Sequence, residues 1–368
     1  PSKPFLIWPS PTIGLGQIED SFSGDSGVMT LIRLGLAISF VLGLLPGTTR
    51  ACDFCALYTA RQAQGEATEG WYAGQAWLYQ HQGTLRLGGI EQANPGHQFL
   101  DSLTVQTVIG YAVNDDLTLQ LNLPYHNREY RRYEGKGLHH DVAAGWGDLS
   151  LLAKYRLWHS ESTAYSMSWS GLLGVKMPTA DAARLRSETA GGGTGARPLG
   201  KPYDNHGGHD HGDDDGGPIS AVGEHDLALG SGSWDGILGL EGYGSYHRLF
   251  VTASFQYYLR TEGAYDYRHA DTFSWQGGPG YYLALEHDHT VALQLLIAGE
   301  NHGNDKVAGQ PLPDTRQRLW YLGPQVSVTW REHLSAELGM DWPISHDDSD
   351  YSQLATDYRC HTSLVWRF

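Results

Sequence analysis

The chain has 368 residues, including 47 Gly, 12 Trp and 21 Tyr, and a formal charge of −16. That acidic balance excludes nucleic-acid binding, which needs a basic footprint, and a mean hydropathy of −0.38 excludes a helical membrane protein built from long apolar spans. Three Cys cannot build a disulfide framework, and this much Gly and aromatic content, with few Lys and Arg, suits many strands with interfacial aromatic belts.

Residues 1–28 show neither apolar periodicity nor strand alternation. Met29, Arg33 and the apolar run Leu34–Leu45 have the order of a secretory signal peptide, and the run is too short to span a bilayer. Residues 1–51 are therefore expected to be an upstream extension plus a signal peptide starting at Met29. Thr49 and Ala51 place the cut near Ala51, with lipidation of Cys52 as the alternative. Residues 52–68 then form a periplasmic segment carrying Cys-x-x-Cys, and 69–368 form the barrel described next.

From Glu69 onward, period-two segments recur. In Leu117–Pro124, four leucines (Leu117, Leu119, Leu121, Leu123) alternate with Thr118, Gln120, Asn122 and Pro124. Leu249, Val251, Ala253, Phe255, Tyr257 and Leu259 share one face of 249–260, and Leu334, Ala336, Leu338, Met340 and Trp342 share one face of 334–342. The chain closes on a segment whose outer set is Tyr358, Cys360, Thr362, Leu364, Trp366 and Phe368. Strands of about nine or more residues ending in Trp or Tyr favour a bilayer over a soluble sandwich.

Twelve strands are expected, near 69–81, 101–113, 116–126, 147–158, 163–177, 232–244, 247–260, 270–285, 288–300, 316–330, 332–343 and 354–368. Short connections alternate with long ones near 82–100, 127–146, 178–231, 261–269, 301–315 and 344–353. That alternation is how outer-membrane barrels place periplasmic turns and extracellular loops, and an even strand number puts both ends in the periplasm. The sequence predicts an all-β, up-and-down antiparallel transmembrane barrel in the outer membrane of a Gram-negative bacterium, with outer-membrane lipid and the barrel-assembly machinery as partners.

The long connection at 178–231 carries His206, His209, Asp210 and His211, with His225 further on. Imidazoles with neighbouring carboxylates suit Cu, Zn or Ni. So many Gly residues leave the segment unable to pack a core, so any order would have to come from a ligand, and its place between an odd and an even strand predicts an extracellular loop. A solvated polar tip accounts for the composition equally simply. His139, His140 and Asp141 stand in another long connection. Cys52 and Cys55 are spaced for one soft metal, a redox pair or a small disulfide, and Ala56 after them excludes c-type haem attachment. Cys360 has lipid-facing parity and reads as a small apolar residue.

Parity places Lys154, Arg156, Lys176, Asp235, Glu241, Arg260, Glu337, Asp341 and Arg359 on the lumen side. Both signs are present, so these side chains either neutralise one another and fill the bore or line a narrow pore. Twelve strands lie between the roughly eight that leave room only for side chains and the roughly sixteen that leave a water channel. No catalytic constellation stands out: a lipid-facing Ser–His pair is missing, and His361 has the wrong parity. The chain is not expected to be an enzyme.

Several stretches resemble the outer-membrane transporter family of the MetA pathway of phenol degradation. Gly110–Tyr125 (GYAVNDDLTLQLNLPY) is similar to its tight hairpin and Leu-Pro strand, and Gly145–Leu157 (GWGDLSLLAKYRL) to its Gly-x-Gly-Asp strand opening. Gly174–Thr179 (GVKMPT) and Leu229–Gly236 (LGSGSWDG) are similar to the segments flanking its large loop. The resemblance spans about half of the barrel and implies an outer-membrane barrel that moves small organic compounds. The His/Asp-rich insertion and the amino-terminal ACDFCALY stretch lie outside those motifs.

Three functions fit these features: a channel or transporter for small molecules, with aromatic cargo implied only by the resemblance; a metal-binding or metal-transport barrel; and a structural barrel with a filled lumen. Titration with Cu, Zn and Ni separates the second. If the His-rich loop holds metal, deleting Asn205–Asp215 removes binding; unchanged affinity eliminates that function.

Overall fold

The structure, a computed structural model, describes residues 70–87, 90–134, 137–190, 220–286, 288–312, 315–331, 333–348 and 352–368. Twelve antiparallel staves form one sheet. They are β1 (Gly70–Leu87), β2 (Phe99–Ala112), β3 (Leu117–Glu134), β4 in two stretches (Gly137–Trp146 and Ser150–Glu161) and β5 (Tyr165–Lys176). The chain continues through β6 (Asp235–Tyr246), β7 (Leu249–Leu259), β8 (Thr272–Leu285) and β9 (His289–His302). It ends with β10 (Gln317–Trp330), β11 (Leu334–Asp348) and β12 (Ser352–Arg367). Each stave pairs with the next in sequence, and β12 pairs with β1 from Tyr72↔Arg367 to Leu87↔Ser352, so the barrel closes.

The expected parity is the physical one. On β2, Leu100, Ser102, Thr104, Gln106 and Val108 are buried, while Ile109 and Tyr111 are exposed. On β12, Arg359, His361, Ser363, Val365 and Arg367 are buried and Trp366 is exposed. The outer face is apolar along its length, with Leu157, Leu173 and Leu338 about 60% exposed. Trp71, Tyr111, Tyr246, Trp366 and Phe368 ring it near the short turns, and Trp146, Trp234, Trp320 and Trp342 ring it near the long loops. Exposed leucines between two aromatic girdles suit hydrocarbon, not water. No described helix is long and apolar enough to cross a membrane; this barrel crosses with strands.

The turns follow from local chemistry. Asn114 Oδ1 accepts from the amides of Asp116 (2.9 Å) and Leu117 (2.8 Å), which bends the β2–β3 hairpin. His247 (φ 52°) and Arg331 (φ 45°) take the left-handed conformations that their tight turns require.

One expected loop is overturned. Residues 127–146 form the upper part of a long β3–β4 hairpin, paired from Tyr125↔Trp146 to Glu134↔Gly137. Polar residues on both faces concealed it, and so did a bulge. Between the pairs Asn122↔Ser150 and Tyr125↔Trp146, β4 spends one residue more than β3, so its inward set changes from Ala143 above to Asp148, Ser150 and Leu152 below. Strands β1 and β11 likewise run beyond their expected ends at 81 and 343.

The described flanks of the 178–231 connection are also folded, contrary to the expectation that glycine would leave this segment without packing. A short helix, α1 (Leu185–Ala190), and a 3₁₀ turn (His225–Leu227) lie in it. Leu227 and Val222 pack with Leu100, Tyr130, Ala143 and Leu354 from the inner faces of four strands. Leu185, Ala182 and Ala228 pack with Tyr267, flanked by Ala264, Val307 and Leu312 of the next two long loops. The apolar residues near the segment's ends suffice to order those described flanks. Residues 191–219, which contain His206, His209, Asp210 and His211, lie outside the described residues, as do residues 1–69 with Cys52 and Cys55.

A three-stranded sheet of Tyr267–Arg268, Lys306–Val307 and Gln310–Pro311 joins the β7–β8 and β9–β10 loops. Buried Asp305 ties it down, accepting from Ala270 N (2.7 Å), Tyr267 Oη, His269 Nδ1 (3.2 Å) and His302 Nε2 (2.8 Å). Burial alone would raise the Asp305 carboxyl, but the imidazoles of His302 and His269 more than offset it and hold it well below its usual range. A depressed carboxylate stabilises above its unfolded pKa and loses that contribution as pH falls towards its folded value. Exchange protection of the Ala270 amide, corrected for intrinsic rate, is therefore expected to persist at neutral pH and to fall below about pH 4. Asp305→Ala, which removes the acceptor, should abolish that protection at every pH.

Candidate functional site

The inner face of the barrel is the place where buried charge collects. The β4 bulge aims Asp148 inward, where it meets Lys176 from the end of β5 (Nζ–Oδ2 2.8 Å). Lys176 also reaches Asp235 at the start of β6 (2.9 Å), and Asp235 pairs with Arg260 just past β7 (2.9 Å). All four side chains are at most 5% exposed, with two charges of each sign. Around them, Asp148 accepts from the amides of Thr179, Ala180 and Ser231, each at 3.0 Å. Ser231 Oγ also meets Lys176 Nζ, and Ser233 Oγ donates to Asp235 at 2.9 Å. The quartet thus pins both roots of the large loop to four staves. Asp148, Lys176, Ser231, Ser233 and Asp235 all come from the motif stretches quoted above, now gathered at one point.

A second cluster lies across the bore. Arg359 on β12 reaches Asp341 on β11 (3.1 Å) and Glu300 on β9 (2.7 Å), with its guanidinium 3.6 Å from the ring centre of Tyr321. His361 Nδ1 stands 3.4 Å from Asp341. Beside it, Leu78 of β1 packs with Leu296 and Ala298 of β9 and with Leu319 and Tyr321 of β10, an apolar bridge spanning five staves. Tyr72 Oη donates to Gln120 Oε1 at 2.8 Å, and the chain of amides continues through Asn122 to Ser150. Charges and amides taken from water must find such partners.

The other lumen-parity residues sit lower or stand apart. Lys154 pairs with Glu241 (2.9 Å), both part-exposed. Glu337 meets Ser363 (3.4 Å), and Arg156 is at the turn-end rim, 3.7 Å from Asp116. The nine residues therefore separate into the quartet, the Arg359 cluster, the Lys154–Glu241 pair and two isolated positions.

The two ends of the bore differ. Towards the long loops, Arg128 donates to the carbonyls of Asp226 (3.0 Å) and Ala228, while Arg132 binds Val222 O (3.3 Å) and Glu224. Arg184 reaches Glu224 from the outer side (3.1 Å). These contacts seat residues 220–228 across the mouth. Towards the turns, the inward residues Ser166, Ser168, Tyr243 and Thr252 are only part-buried and form a small, partly accessible vestibule. Phe250 beside them is buried against Tyr243 and Tyr282, and Glu241, Ser254 and Gln276 each turn a polar atom away from solvent. Above it, Ile237, Gln256, Tyr258 and Ser274 are buried.

His225 lies in the 3₁₀ turn, 3.4 Å from Asp226. His140 engages Glu129 at 2.6 Å on the outer wall, and His139 stands 3.9 Å from Glu134. Among the described residues, no group of three or more His, Cys, Asp or Glu could hold a metal ion. The site residues that parity had not singled out are Asp148, Arg128, Arg132, Glu300 and Ser231. Asp148 falls in the bulge, where alternation breaks; Ser231 falls in a loop, where there is none.

Neither a protein-family model nor a curated protein matches the sequence. Among solved structures, an outer membrane channel from Pseudomonas putida F1 superposes with a TM-score of 0.53 at 12% identity, over 83% of this chain and 98% of that one. The β domain of the Bordetella autotransporter BrkA gives 0.41 at 11% identity, over 82% and 100% of the two chains. The translocator domain of the autotransporter NalP from Neisseria meningitidis gives 0.40 at 12%, over 94% and 98%. The first likeness shows a shared fold. Together with closure and the apolar outer band, it defines the class: the chain is a twelve-stranded β-barrel of the Gram-negative outer membrane.

Breaking a buried ion pair by removing one partner costs about 3–5 kcal/mol, whereas a part-exposed pair contributes about 0–1 kcal/mol. Asp235→Ala is therefore expected to lower unfolding stability in urea far more than Glu241→Ala. Equal losses would remove the quartet's role as a clamp.

Proposed function

We propose that the protein is an outer-membrane channel or transporter for small molecules whose bore is occluded at rest. The observation that carries this reading is how the mouth is closed. The closing element is a loop segment, residues 220–228, held by side-chain hydrogen bonds from Arg128 and Arg132 and by the seating of Leu227. A barrier of this kind can leave, while the wall behind it stays paired. Behind it lie a polar inner face and a vestibule on the turn side, which a purely structural barrel has no need of.

On this reading the long loops face the outside of the cell and the turns, with both strand-bearing chain ends, face the periplasm. Aromatic or hydrophobic organic compounds are the cargo that the motif resemblance implies, and the shared fold with an outer membrane channel is consistent with it. The interior has too many paired charges for a general water-filled pore, so passage should be selective and low in conductance.

Planar-bilayer recording of the refolded mature chain tests this. Small, infrequent openings are expected from the native protein. Arg128→Ala combined with Leu227→Ser should raise open probability about tenfold, the effect of ~1.4 kcal/mol lost from the closed state. Absence of conductance and of solute flux in both proteins would refute the proposal.

A further inference from the structure

The sheet is interrupted at one height, on two staves. Between β8 and β9 the ladder runs to Gly277↔Ile297 and resumes at Gly280↔Gln294; between β10 and β11 it runs to Leu322↔Trp342 and resumes at Gln325↔Gly339. The first gap holds Gly278-Pro279 and the second Gly323-Pro324. Leu295 pairs with Pro324, and the β8–β9 register sets Pro279 beside the same Leu295. Pro279, Leu295 and Pro324 thus form one row, near the middle of their staves.

Proline has no N–H to give the ladder. In sheets it is tolerated on edge strands and at bulges, and a closed barrel has no edge. In hydrocarbon a missing donor cannot be replaced by water. The backbones also approach unusually closely: a Cβ on Gly278, whose φ is +150°, would lie 2.1 Å from Leu295 O, and one on Gly323 would lie 1.9 Å from Met340 O. From inside, Gln294 Nε2 donates to Gly278 O (2.9 Å) and to Thr252 Oγ1 (2.7 Å), bridging β9 to β8 and β7 across the first gap. Thr252 and Gly278 border the vestibule, and Pro279 and Pro324 are exposed on the lipid side.

We propose that this row is a lateral portal, through which small apolar solutes pass between the bore and the hydrocarbon layer, with Gln294 as its inner bolt. The proposal rests on the transport reading and adds the route and the solute class to it. Hydrocarbon on one side selects the solute: an apolar ring crosses at little cost, whereas a hydrated or charged one must shed its water. The two gaps flank the β9–β10 pair, whose own ladder is unbroken, so those two staves can shift together while β1–β7 stay fixed.

The experiment uses the full chain with Cys360→Ser, carrying Tyr281→Cys and Leu293→Cys, which are directly paired outward-facing positions just below the first gap. Oxidation staples β8 to β9. Uptake of N-phenyl-1-naphthylamine is followed by fluorescence in Gram-negative cells lacking their own porins, and conductance is recorded on the purified proteins. Stapling is expected to slow uptake about tenfold, with recovery on reduction and no change in conductance. Gln294→Ala should speed uptake. Uptake indifferent to the staple, or falling in step with conductance, would overturn the portal. Staple-sensitive uptake without conductance would support it while removing the channel reading. Should the stapled protein fail to assemble, as judged by heat-modifiable gel mobility, Pro279→Val with Pro324→Val restores both ladder donors and is expected to slow uptake likewise; unchanged uptake there would equally overturn it.

Discussion

Everything in this molecule depends on the closure of β12 onto β1. Inside a bilayer no water is available to a backbone N–H or C=O, so each needs a partner within the protein. The pairing from Tyr72↔Arg367 to Leu87↔Ser352, with register shifts only between His81 and Thr84, removes the last free edge. Once that ring is complete, the outer wall must be apolar and the inner wall inherits every polar side chain. The interior chemistry follows from the same constraint: charges facing a narrow bore must pair, and most do so in two buried clusters on different sides of it, with Lys154–Glu241 and Arg132–Glu224 as smaller pairs.

The consequence is an asymmetric lumen. On the β9–β12 and β1–β3 side, aromatic, aliphatic and amide groups pack against one another, and Arg359 is held by two carboxylates and a ring face. On the β5–β8 side, Ser166, Ser168, Tyr243 and Thr252 stay partly accessible near the turns. Between the quartet and the mouth, a loop takes the place of a wall. A barrel that stored charge only for stability would gain from apolar filling instead, since buried ion pairs are seldom better than a well-packed core. The quartet is better understood as a fixed point from which the large loop departs and to which it returns.

Much of the fold was legible. Twelve staves, their parity and the order of short and long connections follow from a period-two pattern, because each residue's side of a strand is settled by its immediate neighbours. The β3–β4 extension escaped because a single inserted residue at the bulge reverses parity and because, above the aromatic girdle, neither face needs to be apolar. The order at the described flanks of the large loop escaped for a different reason. Leu185, Val222 and Leu227 are scattered without a period, and their packing partners come from distant strands and other loops.

The sequence by itself determined that this is a membrane-spanning barrel, which faces of its regular strands meet lipid, and part of the charge that points inward. Tertiary structure alone decided which of those charges meet: Lys176 chooses Asp148 and Asp235, Arg359 chooses Asp341 and Glu300, and Gln294 reaches across to Gly278. The physical reason is that facing is a local property of a strand, whereas meeting depends on stagger, bulges and the chord across the bore. Those are fixed only when the last strand closes on the first.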